Sequence, residues 1–179
     1  MRRRRAYGAK VLVGSEILTL FGEIFLALAG FTGIVAALGQ RSEGKWRPID
    51  VVRFRGLLEG SLAGLFFSVI PFGFYYFGVA ERIIWSICSG FLAVYIVYAL
   101  VKNVRKHRAL RASSDPDFVP GVRRFLVVLA IPVVAILALN AAGLVFEQPF
   151  AAYLLALIVS LAGCCAMFVL LLRYVGTDA

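Results

Sequence analysis

Two carboxylates, Glu16 and Glu23, stand in the stretch EILTLFGEIFLALAGFTGIVAALG, which is otherwise apolar enough to enter a bilayer. Seven residues apart, they fall within about 20° of one another on an α-helix, so one face carries both. Further steps of seven reach Gly30 and Ala37, and Thr19, Ala27 and Gly33 lie close to the same stripe. A charge near the bilayer centre costs roughly 2.5–3.5 kcal/mol on insertion scales, so Glu23, near the middle of its window, needs a proton, a cavity or a partner. Every Lys and Arg falls in a loop or close to a helix end, which leaves Glu23 without a cation at its own depth. The face is therefore expected to turn away from lipid, toward a pathway, an axis shared between copies, or another membrane protein. Its chemistry would be proton or cation transfer, because a carboxyl in a dry setting holds its proton and, once ionised, attracts a cation.

Glu59 and Asn140 join Glu16, Thr19 and Glu23 as polar groups that could line such a path. For Asn140 an interhelical hydrogen bond is the competing role. Pro71 and Pro132 sit inside apolar segments, where each removes a backbone hydrogen bond and frees the carbonyl four residues earlier, at Phe67 and Val128. Kinks are expected at both prolines. Freed carbonyls can line an ion path, or local packing can repair the loss.

Signals for catalysis are missing from the sequence. There is no GxSxG, no HExxH, no phosphate-binding glycine loop and no paired-aspartate metal motif. Cys88, Cys164 and Cys165 lack CxxC spacing and read as small packing residues, and His107 is the only histidine, so neither a metal site nor any cofactor is expected. Arg53, Arg55 and Glu59 stand at the entrance of the second apolar segment, where Arg55 and Glu59, four apart, can pair along the helix surface. An Arg and a Glu at that place resemble the small glutathione-using membrane enzymes of eicosanoid and detoxification metabolism. Their pattern of Arg, three residues, Asn, two residues, Glu would need Asn at Gly56 and Arg at Val52, so no function is carried over and no enzyme is expected.

The elements that must position these groups follow from composition. The 179 residues are 61% hydrophobic, with a mean hydropathy of +0.89, which is too apolar for a soluble domain of this size. Five apolar windows, about 11–38, 56–77, 83–101, 125–146 and 150–172, each reach the roughly 20 residues that a spanning helix needs. No segment alternates with period two, and unpaired backbone cannot face lipid, so the expected fold is an all-α polytopic bundle of about five transmembrane helices. It forms one membrane domain over 1–179, with no soluble domain and no internal repeat.

In the second window Gly56, Gly60, Gly64 and Ser68 recur every four residues, a stripe that lets helix backbones approach closely where lipid removes the usual hydrophobic drive. Ala29, Gly33 and Ala37 on the first window, and Ala156, Ser160 and Cys164 on the fifth, offer matching surfaces. These faces serve packing within the chain or in an oligomer.

The formal charge of +9 would suggest nucleic acid in a soluble protein, but here the cations flank apolar spans, so no nucleic acid is expected. Loops 40–55 and 102–124 hold 12 of the 19 Lys and Arg residues and are expected on the cytoplasmic side of a multi-pass protein of the cell membrane. Five crossings then send the basic tail of Arg2 to Arg5 to the other side, against the rule. Within 102–124, Lys102, Arg105, Lys106, Arg108 and Arg111 are expected on anionic headgroups, on a helix that runs past the membrane before breaking at Asp115-Pro116. Arg2 to Arg5, the apolar run and Ala27-Leu28-Ala29 have the parts of a secretory leader, but Glu16 and Glu23 interrupt its core, so a retained helix is expected. Function is then expected to be proton or cation permeation by an oligomer along the carboxylate face, or alternatively assembly of a membrane complex by a non-catalytic subunit packing through small-residue faces.

Overall fold

The computed structural model describes residues 12–41, 48–111, 120–144 and 148–175. They form five helices, α1 (Ser15–Arg41), α2 (Pro48–Tyr76), α3 (Glu81–Arg111), α4 (Pro120–Ala141) and α5 (Pro149–Val175), and no strand is present among the described residues. Four of them, α1, α2, α3 and α5, are long and apolar enough to cross a membrane. The apolar part of α4 described as such is the shorter stretch Val127–Ala141.

Helix boundaries follow local chemistry. Three helices open on proline, Pro48, Pro120 and Pro149, whose missing N–H falls where no intrahelical acceptor exists and whose fixed φ suits the first turn. Two close on glycine: past α2 the Gly78 N–H reaches Tyr75 O at 2.9 Å and the Val79 N–H reaches Phe74 O at 3.2 Å, with Gly78 at φ 76°. Gly143 closes α4 in the same way, with bonds to Asn140 O and from Leu144 to Leu139 O. α3 continues as one helix to Arg111, and Asp115-Pro116 lies outside the described residues.

Helices consecutive in sequence run antiparallel. Gly22 of α1 lies against Leu65 and Ser68 of α2 while Phe25 lies over Gly64, so positions ascend on one helix as they descend on the other. The start of α1 sits beside the starts of α3 and α5, where the Val13 N–H donates to Glu81 Oε1 at 3.2 Å and the Phe150 ring covers Gly14. The end of α1, the start of α2, the end of α3 and the start of α4 therefore share one end of the bundle, and the start of α1, the turn at 77–80, the end of α4 and the start of α5 share the other.

α2 and α5 form the centre, since α2 packs on α1, α3 and α5, and α5 touches all four others. α1 is peripheral, resting on α2 and more lightly on α5. The interior is filled by Trp85, Tyr153, Phe25, Leu18, Leu57, Ile84, Leu137 and Leu157, all fully buried or nearly so. Trp85 stacks obliquely on Phe150 and Tyr153, with ring centroids 4.9 and 5.7 Å away. Two buried hydroxyls are satisfied within their own helices: Thr32 Oγ1 donates to Leu28 O at 2.6 Å and Ser68 Oγ to Gly64 O at 2.8 Å. Ser61 Oγ, fully buried opposite the Cys164 thiol, makes no well-formed hydrogen bond.

Candidate functional site

The site is built on α1, whose inner face carries Leu18, Phe25 and Thr32, each 0% exposed. At 100° per residue Glu23 stands between about 140° and 180° from those three, so it points almost directly away from the bundle. Glu16, Thr19, Glu23, Ala27, Gly30, Gly33 and Ala37 are all exposed. Within the single chain this face therefore lines no interior path, and a shared axis or another membrane protein is left as what it would meet. The physical reason is that the large residues Leu18 and Phe25 are drawn into the core, Phe25 against α2, and among the described residues no helix covers the opposite face.

Depth sharpens the point. The apolar span of α1 covers Ser15–Val35, so Glu23 lies about 3 Å from its midpoint along the axis. A side chain placed on Gly30 or Gly33 would meet nothing within 4 Å, and Ala27 between Glu23 and Gly30 is equally uncovered. Thr19 bonds back to Ser15 O at 3.0 Å and leaves the carboxylates to themselves. The result is an outward strip with carboxyls at 16 and 23 and low, open backbone beyond them.

The remaining pathway candidates lie elsewhere. Glu59 sits at the end of the bundle that holds the basic segments, where its Oε2 accepts from Lys102 Nζ at 2.7 Å and its backbone carbonyl accepts from Tyr95 Oη at 3.3 Å. The i,i+4 pair with Arg55 expected from the sequence gives way to this interhelical one, because α3 brings Lys102 directly across from Glu59. Lys102 also lies 5.8 Å from the Tyr98 ring centroid and is half-buried, while Arg105 is exposed. The side chains of Lys106, Arg108 and Arg111 lie outside the described ones. Asn140, 3% exposed, is at the opposite end and donates from Nδ2 to Ser89 Oγ at 2.8 Å and to Pro149 O at 2.9 Å. Together with Ser86 Oγ, 3.4 Å from Asn140 O, it stitches α3, α4 and α5. Glu23, Glu59 and Asn140 are not brought together.

The two prolines part ways as well. Phe67 O, freed by Pro71, accepts the Tyr153 hydroxyl of α5 at 2.5 Å in the core, so it is repaired by packing and lines no open path. Pro132 and Val128 of α4 face outward.

The packing stripe on α2 is consumed inside the bundle from Gly60 onward. Gly64 lies directly beneath the Phe25 ring, and a Cβ at Gly60 would stand 3.0 Å from Cys164 Sγ. Gly56 has open space, and Ser68 is buried. On α1, Ala29 is half-buried whereas Gly33 and Ala37 face out. Sequence reasoning did not single out Tyr153 or Glu81, which also lies 3.4 Å from Trp85 Nε1. Both carried a signal: a lone tyrosine hydroxyl in an apolar segment is a donor for the carbonyl freed by Pro71, and an acid at a helix start attracts N–H groups.

Among the described residues no three of His, Cys, Asp and Glu gather in a group fit for a metal ion. Compared with known proteins, the chain matches no family model, no curated protein and no solved structure, so no residue role is inherited from a relative.

Proposed function

We propose that the chain is a non-catalytic assembly subunit of a membrane protein complex, with the outer face of α1 as its docking strip. The observation that carries this reading is the outward Glu23, close to mid-span and clear of the bundle. In a bilayer that position sets a carboxyl against hydrocarbon, at a cost of roughly 2.5–3.5 kcal/mol if ionised, unless another protein covers it. Gly30 and Ala27 next to it keep the backbone low, which favours close approach of a second helix. In this reading all five helices cross the cell membrane. Segments 40–55 and 102–124 lie in the cytoplasm, where the basic stripe meets anionic headgroups. An impermeant thiol reagent applied to intact cells should fail to label cysteines introduced at Ser42 and Ser113, and labelling at either would overturn the topology.

The test of the function is extraction of the wild-type chain from its source membranes in mild detergent. One membrane protein should copurify at fixed stoichiometry and be lost on Gly30→Leu, with the melting temperature of the chain unchanged. A second reading is favoured by one specific observation, that Glu16, Thr19 and Glu23 share one outward face. A ring of copies joined there would line an axis with carboxyls and conduct protons or cations. Purified wild-type protein that arrives without a partner and carries H⁺, Na⁺ or K⁺ into liposomes, with flux abolished by Glu23→Gln, would replace the assembly reading by this one.

A further inference from the structure

We infer that the occupant of the α1 strip is a membrane helix of a different protein that carries an arginine or lysine at the depth of Glu23, an inference that rests on the assembly reading above. Charge complementarity selects this occupant. An ionised Glu23 is matched by one cation at its own depth, and no described side chain of this chain supplies it. Its described cations lie at the helix ends: Arg53, Arg55, Lys102 and Arg105 at one end, Arg82 at the other. The starts of α1 and α3 are level, held by the bond from Val13 to Glu81, so Glu23 lies about 10 Å deeper than Arg82. A second copy therefore brings none of the described cations to that depth, and a symmetric pair of α1 strips sets Glu23 near Glu23, which repels when ionised.

The shape of the strip fits the same occupant. Leu26 and Leu20 flank Glu23 at about 60° on either side, and both are exposed, so they form low apolar shoulders around the carboxyl. Beyond it Ala27 and Gly30 leave the α1 backbone open. A helix packed there comes close enough for a long basic side chain to lie along the strip and reach the carboxyl while its stem stays in apolar contact. A guanidinium is favoured over an ammonium, because its planar fork meets both carboxylate oxygens at once and is more weakly hydrated. Glu16, nearer the membrane edge on the same face, contributes less because water reaches it.

The experiment uses the full purified chain in phosphatidylcholine liposomes with a dye-labelled host peptide, a tryptophan-flanked Leu/Ala spanning helix with one central Arg, and the same helix with Leu in its place. Energy transfer between chain and peptide should show association about tenfold stronger for the Arg helix than for the Leu helix. Glu23→Gln should bring the Arg helix down to the level of the Leu helix, Glu16→Gln should keep most of the preference, and Gly30→Leu should weaken the Arg helix by blocking approach. Folding of each variant is read in parallel from its melting temperature. Equal association of the two helices, or a preference that survives Glu23→Gln, overturns the inference. So does self-association through the strip, read as chain-to-chain cross-links from a cysteine at Leu26 in liposomes without peptide. Each of these leaves the assembly reading to its own test, since a fixed partner that copurifies while the peptides show no preference removes only the basic partner.

Discussion

Gly56, Gly60, Gly64 and Ser68 on α2 and Ala27, Gly30, Gly33 and Ala37 on α1 are two runs of small residues on neighbouring helices, and they meet opposite surroundings. From Gly60 onward the α2 run is closed: Gly64 lies under Phe25, Gly60 faces Cys164, and Ser68 is buried with its hydroxyl returned to its own helix, while Gly56 has open space. The α1 run is open, with nothing in reach of Gly30 or Gly33 and a carboxyl beside it. Small residues thus set how near a neighbour can come, and the residues around them decide which neighbour that is. On α2 it is the bulky face of α1, with Phe25 filling the space that Gly64 leaves. On α1 the adjoining Glu23 makes an apolar neighbour from within the chain a poor match.

The largest effect should come from filling the closed run. Gly64→Leu puts a side chain where the Phe25 ring already stands, so α1 must leave α2, and a loss of about 3 kcal/mol or more should appear as a steep drop in melting temperature in detergent. A melting temperature within error of wild type would mean that α1 does not pack on α2 as described. Tyr153→Phe should come next, at about 1–2 kcal/mol, because it strands the Phe67 carbonyl that Pro71 has already freed of its helical donor. Restoring the donor inside the helix by Pro71→Ala in the same chain should recover most of that loss, and a non-additive pair of this kind is the readout. Gly60→Ala should cost less, under about 1 kcal/mol, since its Cβ would press only on a thiol 3.0 Å away. Smallest of all, Gly30→Leu on the open run should change the stability of the isolated chain by no more than about 0.5 kcal/mol. A large loss there would show that α1 already has a covering neighbour within the chain.

How much of this was readable in the sequence depends on what each signal measures. The helices are legible because apolar length and terminal chemistry act locally: Pro48 opens α2 where the sequence sets it, and α3 continues past its apolar window to Arg111. The heptad spacing of Glu16 and Glu23 correctly assigns them to one face, since it depends only on helical pitch. Which way that face turns is not local. It is decided by the competition between Leu18 and Phe25 on one side and Ala27 and Gly30 on the other for a place in the core, which is visible only when the helices are assembled. Pairings between helices were hidden for the same reason. Glu59 has a neighbour in sequence, Arg55, but a closer one in space, Lys102, and nothing in the spacing of residues 43 positions apart announces it. The carbonyl freed at Phe67 was foreseeable from Pro71, whereas its acceptance of the Tyr153 hydroxyl, 86 positions away, required the packing of α5 on α2.

The central claim is that the open face of α1 is covered by another protein in the native membrane. It is tested most directly with a photoreactive residue in place of Leu26, which borders Glu23 on the exposed side, in source membranes and in liposomes holding the purified chain alone. The account predicts a cross-link to one protein of defined size in the source membranes, its loss on Glu23→Gln, and labelling of lipid alone in the liposomes. Labelling of lipid alone in both settings, in a chain that has kept its melting temperature, would contradict it.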